Sequence, residues 1–206
     1  MPARRIGLLG GSFNPAHDGH RHISLLALKR LRLDEVWWML TPQNPLKSSR
    51  DMAPFDERIR AATAVARHPR IRVTDIERRL GTQHTADSLA LLLPRFPKYR
   101  FVWLMGADNL LQISDWKDWQ RIFRLVPIAI FSRPPYSKAA LLARSARVFA
   151  DRRVVEPRAR SLATMTPPAW VFLNTPPHAA SATRIRARRT VAMRERSAVR
   201  KRAGHR

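Results

Sequence analysis

Two histidines three positions apart, His17 and His20, lie in the string Gly10-Gly11-Ser12-Phe13-Asn14-Pro15-Ala16-His17-Asp18-Gly19-His20. An apolar run precedes the string and a helical pattern follows it. Imidazoles at that spacing can turn ring N–H groups toward one ligand. The helix start adds backbone N–H donors and a dipole that favours an anion. Such a set is suited to holding a chain of phosphates. Glycine is scarce, yet four of the seven, Gly7, Gly10, Gly11 and Gly19, fall in the first 19 residues. That crowding predicts close backbone approach or positive φ. The string is not a Walker A loop, because Gly-Lys-Ser/Thr is absent, and it is not the GxGxxG dinucleotide fingerprint.

A second anion-binding set lies far along the chain, in Ala180-Ser181-Ala182-Thr183-Arg184-Ile185-Arg186. Ser181 and Thr183 offer hydroxyls at a helix start, and Arg186 adds a forked cation one turn in. The chain has no cysteine. Disulfides, thiolate metal sites and a cysteine nucleophile are therefore excluded, and a reducing, cytoplasmic setting is expected.

The elements that position these residues follow from hydropathy. Apolar runs predict strands at Ile6–Leu9, Val36–Leu40, Ile71–Ile76, Arg100–Met105, Pro127–Phe131 and Trp170–Leu173. Helical spacing predicts helices from Gly19 to Leu31, from Pro54 through Ala66, and over Thr85–Leu93, Trp116–Phe123, Ser137–Ala150 and Ser181–Arg189. Residues 152–168 read as an irregular, mobile loop. Strands alternating with helices imply an α/β fold, a Rossmann-like parallel sheet with helices on both faces. The strands are continuously apolar, as parallel strands covered on both sides should be. The histidine loop then falls at the carboxyl end of the first strand, where such sheets bind ligands. One domain over residues 1–189 and a basic tail over 190–206 are expected.

Of 206 residues, 39 are basic and 15 acidic, a net charge of +24. Residues 184–206 hold ten of the basic residues and one acid, Glu195. A charge run at a chain end is usually a solvated tail. The excess in the body suits a protein that handles polyphosphates. Arginine supplies 33 of the basic residues and lysine only 6, a bias that base composition alone can produce. No apolar run is long enough to span a bilayer, so no membrane partner is expected.

The histidine string resembles the T/SFDPxHxGH signature of the nucleotidyltransferase superfamily, with Asn14 in place of the usual Asp. Residues 180–186 resemble its ISSTxIR motif, with Ala at the first and third positions. Four further segments are similar to the bacterial nicotinate-nucleotide adenylyltransferase family. They are Thr41-Pro42-Gln43-Asn44-Pro45-Leu46-Lys47, Ile76-Glu77 through Leu89, Gly106-Ala107-Asp108-Asn109-Leu110 with Trp116, and Arg133-Pro134.

The resemblance implies transfer of the adenylyl group of ATP to nicotinate mononucleotide, with no covalent enzyme intermediate. It implies His17, His20 and Arg186 as catalytic residues. ATP would also meet Gly10, Gly11, Ser12, Phe13, Gly106, Asp108, Ser181 and Thr183. The acceptor would meet Asn14, Lys47, Thr85, Trp116, Lys117 and Arg133. In this reading Trp116 stacks on the pyridine ring, Thr85 and the Lys117 N–H meet the nicotinate carboxylate, and Asp108 accepts from a ribose hydroxyl. Mg2+ would arrive with ATP and be held mainly through phosphates, with no protein metal site.

Read from the residues alone, several of these positions have a second use. Trp116 equally suits a core aromatic, and Asp108 and Thr85 suit helix caps. Nicotinamide mononucleotide or phosphopantetheine remains an alternative acceptor. A basic nucleic-acid-binding protein is the alternative from another class, and nonspecific binding of nucleic acid by the tail is compatible with either.

Overall fold

The computed structural model describes residues 3–42 and 52–176. Strands β1 (Arg4–Gly11), β2 (Glu35–Leu40), β3 (Ile71–Thr74), β4 (Tyr99–Gly106), β5 (Ile128–Phe131), β6 (Arg153–Val154) and β7 (Trp170–Leu173) form one seven-stranded sheet. Its order is β3-β2-β1-β4-β5-β7-β6, and every pairing is parallel. The helices are α1 (Asp18–Arg30), α2 (Phe55–Ala66), α3 (Ile76–Leu80), α4 (Thr85–Arg95), α5 (Ala107–Gln112), α6 (Trp119–Leu125), α7 (Ser137–Leu141) and α8 (Arg144–Val148). The expected Rossmann-like α/β fold is the one observed.

Alternation along the strands sends side chains into two cores. Leu9, Trp38, Leu104 and Phe131 pack against α1, α2 and a 3-10 stretch, Glu156–Thr164. Ile6, Leu8, Trp37, Trp103 and Phe172 pack against the layer built from α4 to α8. Burying apolar side chains on both faces is the main driving force for such a sheet.

The register levels the carboxyl ends. Gly11 pairs with Leu40, Gly106 with Phe131, and Phe131 with Leu173. β1 lies between β2 and β4, so the strand order reverses direction at the β1/β4 boundary. Ligands of open α/β sheets bind in the crevice at such a reversal.

Several boundaries differ from the sequence expectations. Residues 152–168 are ordered: β6 pairs with β7, and the 3-10 stretch buries Ala159, Leu162 and Ala163. Glu156 anchors it by pairing with Arg30 and by accepting from the Asn174 backbone and side chain. The apolar face is built mostly of alanine, which carries little hydropathy signal. The single helix expected over 137–150 is two short ones, with Leu142 and Ala143 between them. The helix expected at Trp116 begins three residues later, after Asp118 in the left-handed region, φ 50°. β3 stops at Thr74, and α3 takes over. The helix expected to stop before Pro94 includes it in the last turn of α4. The helix expected at Ser181–Arg189 and the domain boundary at 189 lie outside the described residues. Among the described residues no helix is long and apolar enough to cross a membrane.

Candidate active site

β1 ends at Gly11, and the chain reaches α1 through Ser12–His17. Phe13 takes φ 46°, a left-handed value that turns the loop, and its ring is buried. It stacks on Trp38 at 5.0 Å between ring centroids. The glycines here do not supply positive φ. Gly81 is the one described glycine in that region. Gly7 and Gly10 answer instead to crowding: a Cβ on either would meet a core side chain closer than 3.0 Å.

His17 occupies the N-cap of α1, with extended backbone, and His20 is the third residue of the helix. The two rings lie 3.9 Å apart, tilted by 30°. The His17 backbone N–H donates to His20 Nδ1 at 3.2 Å. A ring nitrogen that accepts carries no proton, so the His20 proton sits on Nε2. The carbonyl of His20 accepts from Ser24 Oγ at 2.8 Å, and Ser24 in turn accepts from Trp38 Nε1 at 2.8 Å. The first turn of α1 is thereby tied to β2.

Arg58 of α2 reaches the same corner. Its side chain is 2 % exposed. Nη1 donates to Ser12 O at 2.7 Å and Thr41 O at 2.9 Å, Nη2 to Pro42 O at 2.7 Å, and Nε to Ala53 O at 3.0 Å. Burial pulls its pKa below that of an ordinary arginine. Asn14 Oδ1 accepts from the Ala53 backbone N–H at 3.3 Å, tying the loop after β1 to the start of α2.

Glu77 of α3 is equally buried. It accepts from Ser88 Oγ at 2.9 Å and from the Thr41 hydroxyl. Burial pushes its carboxyl above the usual range, and those two hydroxyl bonds offset part of the rise. Thr41 thus joins Arg58 at its carbonyl and Glu77 at its hydroxyl.

On the far side of the strand-order reversal, β4 ends at Gly106, the N-cap of α5. Asp108 lies in the first turn and folds back so far that a Cβ on Gly106 would meet its Oδ1 at 2.4 Å. Arg133, just beyond β5, donates from Nη1 to Asp108 Oδ2 at 2.7 Å. Two residues expected on different ligands therefore hold each other. The N-cap positions belong to Gly106 and His84, so neither Asp108 nor Thr85 is a cap.

Thr85 is the first residue of α4. Lys117 Nζ pairs with Asp87 Oδ2 at 3.1 Å, which brings the Trp116-Lys117 stretch to the start of that helix. Trp116 is half-buried and packs on the core layer of α4 to α8, so it serves as a core aromatic with one part exposed. Among the described residues, those expected on the phosphates stand at the carboxyl ends of β1 and β4 or at the helix starts that follow, while of those expected on the acceptor Asn14 lies in the loop after β1, Thr85 opens α4, Arg133 follows β5, and Trp116 and Lys117 lie in the turn before α6. Lys47, Ser181, Thr183 and Arg186 lie outside the described residues.

Ser24, Trp38 and Arg58 are the contributors that sequence reasoning missed, and Glu77 was named only within a similar segment, with no role assigned. For Arg58 a signal existed. It precedes the buried Ala62 and Ala66 by four and eight positions, on the one face of α2 that is covered.

A family model described as cytidylyltransferase-like matches residues 8–188. The chain belongs to that family. A probable nicotinate-nucleotide adenylyltransferase of Parvibaculum lavamentivorans is 51 % identical over 187 residues, 91 % of this chain and 93 % of that protein. One of Cereibacter sphaeroides is 53 % identical over 182 residues, 88 % of this chain and 96 % of its own length. Among solved structures, Plasmodium falciparum nicotinic acid mononucleotide adenylyltransferase complexed with NaAD superposes with a TM-score of 0.67. It covers 89 % of this chain and 83 % of its own at 18 % identity, a likeness of fold alone. Membership makes the chain a nucleotidyltransferase.

Proposed function

We propose that this chain transfers the adenylyl group of ATP to nicotinate mononucleotide, giving deamido-NAD and pyrophosphate in the cytoplasm. The observation that carries the reading is the His17–His20 corner at the strand-order reversal, with the two imidazoles 3.9 Å apart at the start of α1. The activity for which the relatives are named supports the choice of reaction.

A phosphate oxygen of the acceptor attacks the α-phosphorus of ATP. The new P–O bond forms as the bond from the α-phosphorus to the bridging oxygen breaks, and pyrophosphate leaves with the electron pair. No protein nucleophile is required, and the protein's task is positioning and charge stabilisation. His20 Nε2–H donates to the α-phosphate where negative charge grows, and His17 meets the phosphates nearer the leaving group. Arg133, released from Asp108, pairs with phosphate, and Asp108 then accepts from a ribose hydroxyl. Thr85, with the Lys117 backbone N–H, provides the donors that a carboxylate needs. Lys47, Ser181, Thr183 and Arg186 complete the phosphate contacts.

Mg2+ neutralises the triphosphate when it is bound. At the carboxyl end of β4 the chain offers Asp108, whose Oδ2 is already held by Arg133. Among the described residues no group of three His, Asp or Glu side chains gathers to hold a metal. That donor set fits an ion carried mainly by phosphate and water.

The test is the purified chain with ATP and either nicotinate or nicotinamide mononucleotide, scored by dinucleotide and pyrophosphate. Faster turnover of the acid is expected. Preference for the amide would overturn the acceptor, and formation of no dinucleotide from either would overturn the reaction.

A further inference from the structure

We propose that Arg58 is a positioning residue for this reaction: from α2 it ties the carboxyl ends of β1 and β2 together and so sets the affinity for the acceptor. The inference rests on the adenylyl transfer proposed above. Four guanidinium bonds gather carbonyls from three separate stretches, Ser12, Thr41-Pro42 and Ala53. Ser12 and Thr41 follow directly on the last residues of β1 and β2, where ladder partners run out. Buried carbonyls there need donors from elsewhere.

Among the described residues no carboxylate pairs with Arg58. A buried cation whose hydrogen bonds all go to carbonyls, with the Phe55 ring 5.2 Å from its guanidinium carbon, is a costly way to fill space that a methionine would fill more cheaply. What the guanidinium supplies is geometry. Its five N–H groups lie in one rigid plane, so the acceptors it binds are held in fixed relation to one another.

That relation reaches the site by a short route. Ser12 is followed by Phe13, whose φ of 46° leaves little freedom, and then by Asn14. Asn14 is itself tied back to Ala53, the residue whose carbonyl Arg58 holds. A shift at Ser12 is therefore passed to Asn14, the loop residue expected on the acceptor, and onward to His17. Lysine could not do the same work, since its ammonium is a single point with three donors on a flexible stem.

The experiment uses the full chain with Arg58→Ala and Arg58→Lys. Melting temperature and folded fraction are measured first. Initial rates follow, with ATP and nicotinate mononucleotide varied in turn, below the melting temperature of each variant. The expected result, per folded molecule, is a fall in kcat/KM of roughly 10- to 100-fold, carried chiefly by a raised KM for the acceptor. Arg58→Lys is expected to show the same split. If the alanine variant does not fold, the lysine variant is read alone against the same constants. Wild-type KM and kcat per folded molecule, with only a lowered melting temperature, would overturn the proposal. So would a loss confined to kcat. A wild-type chain that transfers no adenylyl group would remove the underlying reading and this inference with it, whereas an active wild type with unaltered Arg58 variants would remove this inference alone.

Discussion

The indole of Trp103 occupies the space that a side chain on Gly10 would need, its Cη2 standing 2.4 Å from where the Cβ would be. Trp103 is buried between the sheet and the layer of α4 to α8, so it cannot swing clear. Gly10→Ala should therefore force the end of β1 or the indole to move. Overpacking of this kind costs about 1–3 kcal/mol. Urea unfolding should register the loss. The Trp103→Phe background should recover part of it, because the smaller ring leaves room. Equal losses in both backgrounds would mean that the indole is not the obstacle.

His20→Ala should lower turnover by roughly 10²–10³, by analogy with loss of an oxyanion donor. The fold should survive, because the ring is half-buried and Ser24 bonds the backbone carbonyl of His20, not its ring. Steady-state rates beside a circular-dichroism melt check both halves. Near-normal turnover would mean that the α-phosphate is stabilised elsewhere.

The strands were legible in the sequence because a parallel strand covered on both faces is apolar at nearly every position. Trp103 and its neighbours from Phe101 to Met105 are an example. The histidine corner was legible because few other purposes bring glycine, histidine and a helix start together. The short helices α3 and α5 were not, since five or six residues make too few turns to establish a period. Arg58 escaped for a different reason. An arginine on a helix ordinarily belongs to the solvent, and its burial is matched by carbonyls remote in sequence, those of Ser12, Thr41 and Pro42, which no local pattern announces. The Asp108–Arg133 pair could not be foreseen either, because no local pattern links residues 25 positions apart.

Glu77 should impose a pH dependence on stability. Burial raises its carboxyl above the ordinary 4.5, so the folded chain takes up this proton at a higher pH than the unfolded chain does. Between those two values the native state binds more protons, and stability falls as pH rises. Below 4.5 the penalty is absent, and above the raised value it is felt in full. Glu77→Gln keeps the shape without the charge, and the hydroxyls of Thr41 and Ser88 can rotate to meet an amide. Unfolding free energies of the two proteins, measured in urea from pH 4 to pH 8, should diverge. Wild type should lose ground to the variant as the pH climbs. A difference that stays flat across the range would show that Glu77 keeps the same proton affinity folded and unfolded.

Asp108 and Arg133 hold each other with Nη1 and Oδ2 2.7 Å apart, and both are expected to take up a ligand in the working enzyme. The pair is partly exposed, so it contributes little to stability on its own. Arg133→Gln should therefore melt within a few degrees of wild type, yet raise the KM for the acceptor, because a phosphate loses a charged donor. Asp108→Asn separates the two roles. It frees Arg133 from its carboxylate while weakening acceptance from a ribose hydroxyl. If the ion pair competes with substrate, the asparagine variant should bind inorganic pyrophosphate more tightly than wild type, by calorimetry, even as its kcat falls. Weaker pyrophosphate binding in that variant would mean that the carboxylate orients Arg133 toward phosphate and does not sequester it.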